Sequence, residues 1–298
     1  MNVEQSSICV KETIASALQE QKGCLIGRWG TIEFEMVLRA LDYSTKSFDK
    51  MRSYVLERNA GVFPCQSDIG VNVWREAYVK AIQNANVLAT GWYVPIKQSE
   101  QRFLEYIKWN GKQILLRGIE PYYVNPEHRW TTLLQGKRVC VVTSFTETAK
   151  KQIEKGSNAI WGVKGESLWP SGVEWSWVQT GYAPVLAQGK CTWSEVSGED
   201  ISCWQEAVKY MVDEVMKTNA EIVLIGCGGL GMIVGAELKS KGKVCIVMGG
   251  ATQVLFGIKG RRWETHDFIS KLWNEEWVFP SDDETPGGAK EVEQGCYW

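Results

Sequence analysis

Apolar residues at Ile8, Val10, Ile14, Ala17 and Leu18 recur at the spacing of one helix face, and Gly23 then offers a left-handed stop before the run Cys24-Leu25-Ile26. The pattern predicts helix, turn and strand. Arg28-Trp29-Gly30-Thr31-Ile32-Glu33 follows, after which Phe34, Val37, Leu38 and Leu41 return at i, i+3, i+4 and i+7, so that Glu33 falls near a helix N-terminus. Apolar runs predict further strands over 87–91, 114–116, 137–145, 221–225 and 243–248. Helical spacing predicts helices over 74–85, 100–109 and 232–241, and another that opens on a capping box at Ser202-Cys203-Trp204-Gln205 and carries Val208, Met211, Val212 and Val215 on one side. Alternating helices and apolar strands imply an α/β fold with a mostly parallel, helix-covered sheet.

Two stretches break the rhythm. Residues 155–199, rich in Gly, Pro, Ser and Trp, read as an irregular excursion with room for one strand, and 280–298 reads as an extended tail over the surface, both within a single domain spanning 1–298. Formal net charge is -2, so no basic field exists to neutralise a nucleic-acid backbone. The first twelve residues lack a basic segment followed by an apolar one, and no run of ~18 apolar residues occurs, so a cytoplasmic chain without a transmembrane segment is expected. The nine Cys are scattered without a Cys-x-x-Cys pair, which suits reduced thiols acting as small hydrophobes. Two His leave little material for an imidazole metal site or a His-centred triad, so acid–base chemistry must lean on carboxylates. Fifteen Trp either fill the core or stack on sugars and bases.

Three constellations can carry chemistry. Gly226, Gly228, Gly229 and Gly231 lie between a predicted strand and helix, where flexible backbone can aim N–H groups at an anion or simply make a tight turn. Their spacing departs from the Gly-x-Gly-x-x-Gly dinucleotide fingerprint, and the next strand ends in Met248-Gly249-Gly250 without the acid that would hold a ribose. The second is the stretch from Gly249, Gly250 and Gln253 to Lys259, Arg261 and Arg262, which places three cations near a glycine turn; it reads as a diphosphate clamp or as a solvated basic turn. Glu33, beside Arg28 and Thr31, can bind a divalent cation, hold a sugar hydroxyl or act as a base, while helix-dipole preference alone also accounts for it. Asp282-Asp283-Glu284 reads as a solvated acidic tail, with metal binding as the alternative.

Arg28-Trp29-Gly30-Thr31-Ile32-Glu33 resembles the Arg-aromatic-Gly-Asp-x-Glu segment of GT-D type glycosyltransferases. Asn59-Ala60-Gly61-Val62-Phe63-Pro64, Val142-Thr143-Ser144-Phe145-Thr146-Glu147 and the stretch from Gly249 to Trp263 are similar to later segments of polysaccharide-biosynthesis relatives. The resemblance implies a Rossmann-like fold and transfer of a sugar from a nucleoside diphosphate sugar to a glycan or glycoconjugate acceptor. It implies Glu33 as the catalytic carboxylate, with Mn2+ or Mg2+ beside it. Donor contacts would come from Arg28, Gly30, Thr31, Asn59, Ser144, Glu147, Gly226, Gly228, Gly229, Gly250, Gln253, Lys259, Arg261 and Arg262. Thr31 stands where the family pattern has Asp, so only one carboxylate of the acidic pair remains for a metal. Two alternatives stay open: a nicotinamide- or other nucleotide-dependent enzyme on the same glycine loop, and a non-catalytic sugar-nucleotide-binding protein.

Overall fold

The computed structural model describes residues 1–38, 50–65 and 67–298. Its centre is a seven-stranded, all-parallel sheet of β1 (Cys24–Arg28), β2 (Val87–Ala89), β3 (Lys112–Ile114), β4 (Arg138–Thr143), β5 (Glu174–Gln179), β6 (Ile222–Gly226) and β7 (Val244–Val247), in the order β3-β2-β1-β7-β6-β4-β5. Helices cover both faces, giving a Rossmann-like α/β architecture. The central strands are buried on both sides, which is why they read as continuous apolar runs.

Side chains alternate between two cores. Val139, Val141, Leu224 and Ile246 pack with the helices Val3–Gln19 and Thr146–Lys155, whereas Cys140, Val142, Val223, Ile225 and Val247 face the helices Asp68–Gln83, Trp204–Lys217 and Gly231–Ser240. Asn2 closes a capping box on the first helix, and Ser67 caps Asp68–Gln83, which begins six residues before the periodicity places it. No helix of the described residues is long and apolar enough to cross a membrane.

Several sequence expectations shift. β3 ends at Ile114, since Leu115 is exposed and Leu116 opens a 3-10 turn. The capping box at Ser202 does not form: Cys203 is the N-cap without a side-chain bond, and Glu206 reaches back to the N–H and Oγ of Ser202 in place of Gln205. Leu41, assigned to the face of the second helix, lies outside the described residues. The irregular stretch 155–199 contributes β5 as an edge strand paired along the full length of β4. Glu284 is no part of a solvated tail. It is 1% exposed, its carboxylate accepts from the N–H groups of Glu147 (2.7 Å) and Thr148 and from the Thr148 hydroxyl, and it thereby caps the helix Thr146–Lys155.

Candidate functional site

The route of the chain out of each strand creates the site. After β1 and β6 it enters helices on one face of the sheet, and after β4 and β7 helices on the other. Neighbouring strands β1 and β7, β7 and β6, and β6 and β4 therefore send their loops apart, and a crevice opens at their carboxyl ends, where ligands bind open α/β sheets. A cavity of about 820 Å³ occupies this place.

The first loop shows how local sequence shapes the site. Trp29 is fully buried, stacks on Phe34 at 4.9 Å and donates its indole N–H to Glu100 Oε1 at 2.6 Å, which anchors the residues on either side of it. Any Cβ at Gly30 would collide with the Glu33 carboxylate, so glycine is what lets that side chain fold back over the start of its own helix. Burial raises the Glu33 carboxyl above the ordinary carboxylate range, opposed by its own backbone N–H and by Arg28. Glu33 and Thr31 both line the cavity.

As a metal centre this group fits poorly. Glu33 is a single desolvated carboxylate already accepting from backbone, with a guanidinium as its charged neighbour. Among the described residues no three His, Cys, Asp or Glu gather as metal ligands. Hard divalent cations take six or more oxygens and favour several carboxylates, which this donor set does not offer.

Arg28 is differently placed. Its guanidinium lies over the Trp92 ring at 5.2 Å and against the backbone of Gly249, where a Cβ would come within 2.9 Å of Nη2. It makes no hydrogen bond or ion pair with any described residue, so its donors are unspent at the cavity wall. Gly249 has φ +59°, a conformation that only glycine adopts without strain, and the glycine that permits the turn also permits this approach.

The two glycine loops meet. A Cβ on Gly226 would lie 3.0 Å from the Gly249 carbonyl oxygen, and Gly226, Cys227, Gly228, Gly249 and Gly250 share the cavity lining. The N–H groups of Cys227, Gly228 and Gly250 have no acceptor among the described residues. Gly229 is turned away and buried. Its carbonyl accepts from Trp74 Nε1 at 3.2 Å, and a side chain there would strike Val62 and Ala60. Burial pushes the Cys227 thiol up to about 12, which keeps it protonated near neutral pH.

Of the three cations after β7, only Arg262 lines the cavity; its Nη1 donates to the Tyr297 hydroxyl at 2.8 Å. Lys259 instead lies over the rings of Trp273 and Phe279, and Arg261 is exposed, 3.4 Å from the Gln294 carbonyl oxygen. The 3-10 turn Arg261–Trp263 points successive side chains in different directions, which separates them. Glu147, expected among the donor contacts, is likewise outside the cavity lining, exposed and paired with Lys150, while Glu284 accepts from its backbone N–H. Asn59 and Ser144 line the cavity; Asn59 accepts from Arg58 Nε, and the Ser144 and Thr180 hydroxyls bond across β4 and β5 at 2.7 Å. Gln253 lines it too, but its amide donates to the carbonyls of Lys259 and Tyr297 and acts as a tie between loop and tail.

The structure adds residues that the sequence did not single out: Trp92, Arg117, Glu120, Tyr123, Tyr182 and His266. Arg117 and Glu120 follow β3 directly and were open to the rule that strand-end loops build such sites. His266 Nδ1 accepts from the N–H groups of Phe268 and Ile269, which directs its other nitrogen to the Tyr123 hydroxyl at 3.4 Å. Four of the fifteen Trp (29, 74, 130 and 277) are wholly core, whereas Trp92, Trp193, Trp263 and Trp298 reach the cavity. Comparison with known proteins found no matching family model, no matching curated protein and no matching solved structure.

Proposed function

We propose that the chain is a glycosyltransferase that moves a sugar from a nucleoside diphosphate sugar to a hydroxyl acceptor. The observation that carries this reading is the unspent Arg28 guanidinium facing a glycine turn whose neighbours present free N–H groups, all at the carboxyl ends of β1, β6 and β7. An arrangement of this kind suits an anion with several oxygens at close range, and a guanidinium fork can hold two of them at once. The similarity of the Arg28-to-Glu33 and Gly249-to-Trp263 segments to GT-D type enzymes points to the same ligand.

In the mechanism Arg28 and Arg262, with the amides of Cys227, Gly228 and Gly250, hold the diphosphate and stabilise the charge that grows on it as the glycosidic bond breaks. This role would otherwise fall to a divalent cation, and here two permanent charges supply it without a metal. Glu33, raised and folded over Gly30, accepts or shares a proton with a donor-sugar hydroxyl and so orients the ring. The aromatic walls at Trp92, Trp193 and Trp298 offer faces for the base and for sugars. The cavity of about 820 Å³ falls within the range of pockets that enclose ligands of this size.

Thermal denaturation against a panel of uridine, guanosine, thymidine and cytidine diphosphate sugars, with nicotinamide dinucleotides beside them and Mn2+ present or absent, tests the reading. One sugar nucleotide should raise the melting temperature with or without Mn2+, since a ligand that binds only the folded state stabilises it. Stabilisation by nicotinamide dinucleotides alone, or by no member of the panel, would sink it.

A further inference from the structure

Glu120 stands apart from every other carboxylate of the cavity. It forms the N-cap of the 3-10 turn Pro121–Tyr123 just beyond β3, partly exposed at the cavity wall, and its side chain takes no hydrogen bond from any described residue. Three guanidinium groups act on it from three different elements: Arg28 from β1, Arg117 from its own loop and Arg262 from the loop after β7. The phenols of Tyr122 and Tyr123 also feel it, the latter lying under Arg117 at 4.6 Å. Glu33 accepts from its own backbone N–H and is assigned above to the donor sugar, and Glu293 is an exposed residue of the tail.

We propose that Glu120 is the base that takes the proton of the acceptor hydroxyl, an inference that rests on the donor reading above. The acceptor oxygen forms its bond to the anomeric carbon, and the bond from that carbon to the phosphate oxygen breaks, its electron pair leaving with the diphosphate. The hydroxyl proton passes to a carboxylate oxygen of Glu120 and then to solvent. Placement favours this role, because Glu120 lines the same cavity as Arg28 and Arg262, the groups that hold the leaving diphosphate, with its carboxylate unspent on any described partner.

Burial pushes the Glu120 carboxyl up to about 7, with Arg28, Arg117 and Arg262 restraining the rise. A bound diphosphate on those arginines weakens their pull, so the carboxyl should rise further and take up a proton fraction as donor binds near neutral pH. Between the free and donor-bound values the complex holds more protons than the free protein, and binding is therefore tighter at the acid end of that window.

Calorimetric titration with uridine, guanosine and thymidine diphosphate sugars, in buffers of differing protonation enthalpy between about pH 6 and 9, measures that uptake. These esters have no ionisation of their own near neutrality. Release of diphosphate to water or acceptor is followed in parallel. Glu120→Gln should bind the same sugar nucleotide within about threefold, take up no proton and turn over roughly 100-fold more slowly or worse, without the acid limb near neutrality. Wild-type proton uptake in the variant, or wild-type turnover with an unchanged pH profile, overturns the assignment to Glu120. Failure of the wild-type protein to bind any sugar nucleotide removes the donor reading itself, and that result is seen before the variant is made.

Discussion

Arg28 does little for the fold and much for the cavity. Its guanidinium has no described hydrogen-bonding partner, and truncation would remove the stack on Trp92, the contact with Gly249 and its pull on the Glu33 and Glu120 carboxyls. Arg28→Ala should therefore leave the melting temperature of the ligand-free protein within a few degrees of wild type, while binding of the sugar nucleotide weakens roughly 10–100-fold, the ~1.5–3 kcal/mol carried by hydrogen bonds to a charged group. Calorimetry and thermal denaturation on the same samples check both halves. At this scale the sequence was informative where chemistry follows a strand directly: Arg28, Gly30 and Glu33 were legible because spacing put them at a strand end. Lys259, Arg261 and Arg262 were not separable, since three cations in four positions look alike until the turn Arg261–Trp263 aims one of them inward. Glu120 escaped because, apart from its place in the loop after β3, a lone carboxylate before a proline has no motif, and two of the three arginines that act on it, Arg28 and Arg262, are distant in sequence.

Among the elements, strand positions were readable from apolar runs, and the errors gathered at the ends, where hydrogen-bonding competition and not hydrophobicity decides. Glu206 displaced Gln205 at one helix start, and Glu284 reached across the chain to another. A cap supplied from a residue over a hundred positions away leaves no trace in local sequence. Its energetic role is testable. Replacing Glu284 by Ala strips acceptors from two backbone N–H groups and a hydroxyl at the start of Thr146–Lys155, and should cost about 1–3 kcal/mol in urea denaturation with little change in slope. An unaltered midpoint would show that water satisfies those donors equally well.

For the molecule as a whole, the parallel helix-covered sheet was legible from alternation, but the strand order was not, because nothing local tells β4 to cross the sheet and pair with β6 and β5. The tail 280–298 was expected to wrap the surface; instead Glu284 caps a helix, Val292 and Cys296 are buried with Leu186 in a small cluster, and Tyr297 and Trp298 form part of the cavity wall. Removing residues 281–298 should accordingly lower the melting temperature by several degrees and increase binding of a hydrophobic dye, as expected for exposed apolar surface; a truncated chain with the wild-type melting curve would contradict this account. The internal cap has one more effect. By filling the positive pole of Thr146–Lys155 with a carboxylate of the protein's own, Glu284 leaves the β4–β5 end of the crevice, with Ser144, Thr180 and Tyr182, no helix pole to offer an anion, while the guanidinium groups of Arg28, Arg117 and Arg262 stand at the end of β1 and in the loops after β3 and β7. The chain thus polarises its own cleft, and a visitor with one charged and one neutral half has a single favourable way to lie in it.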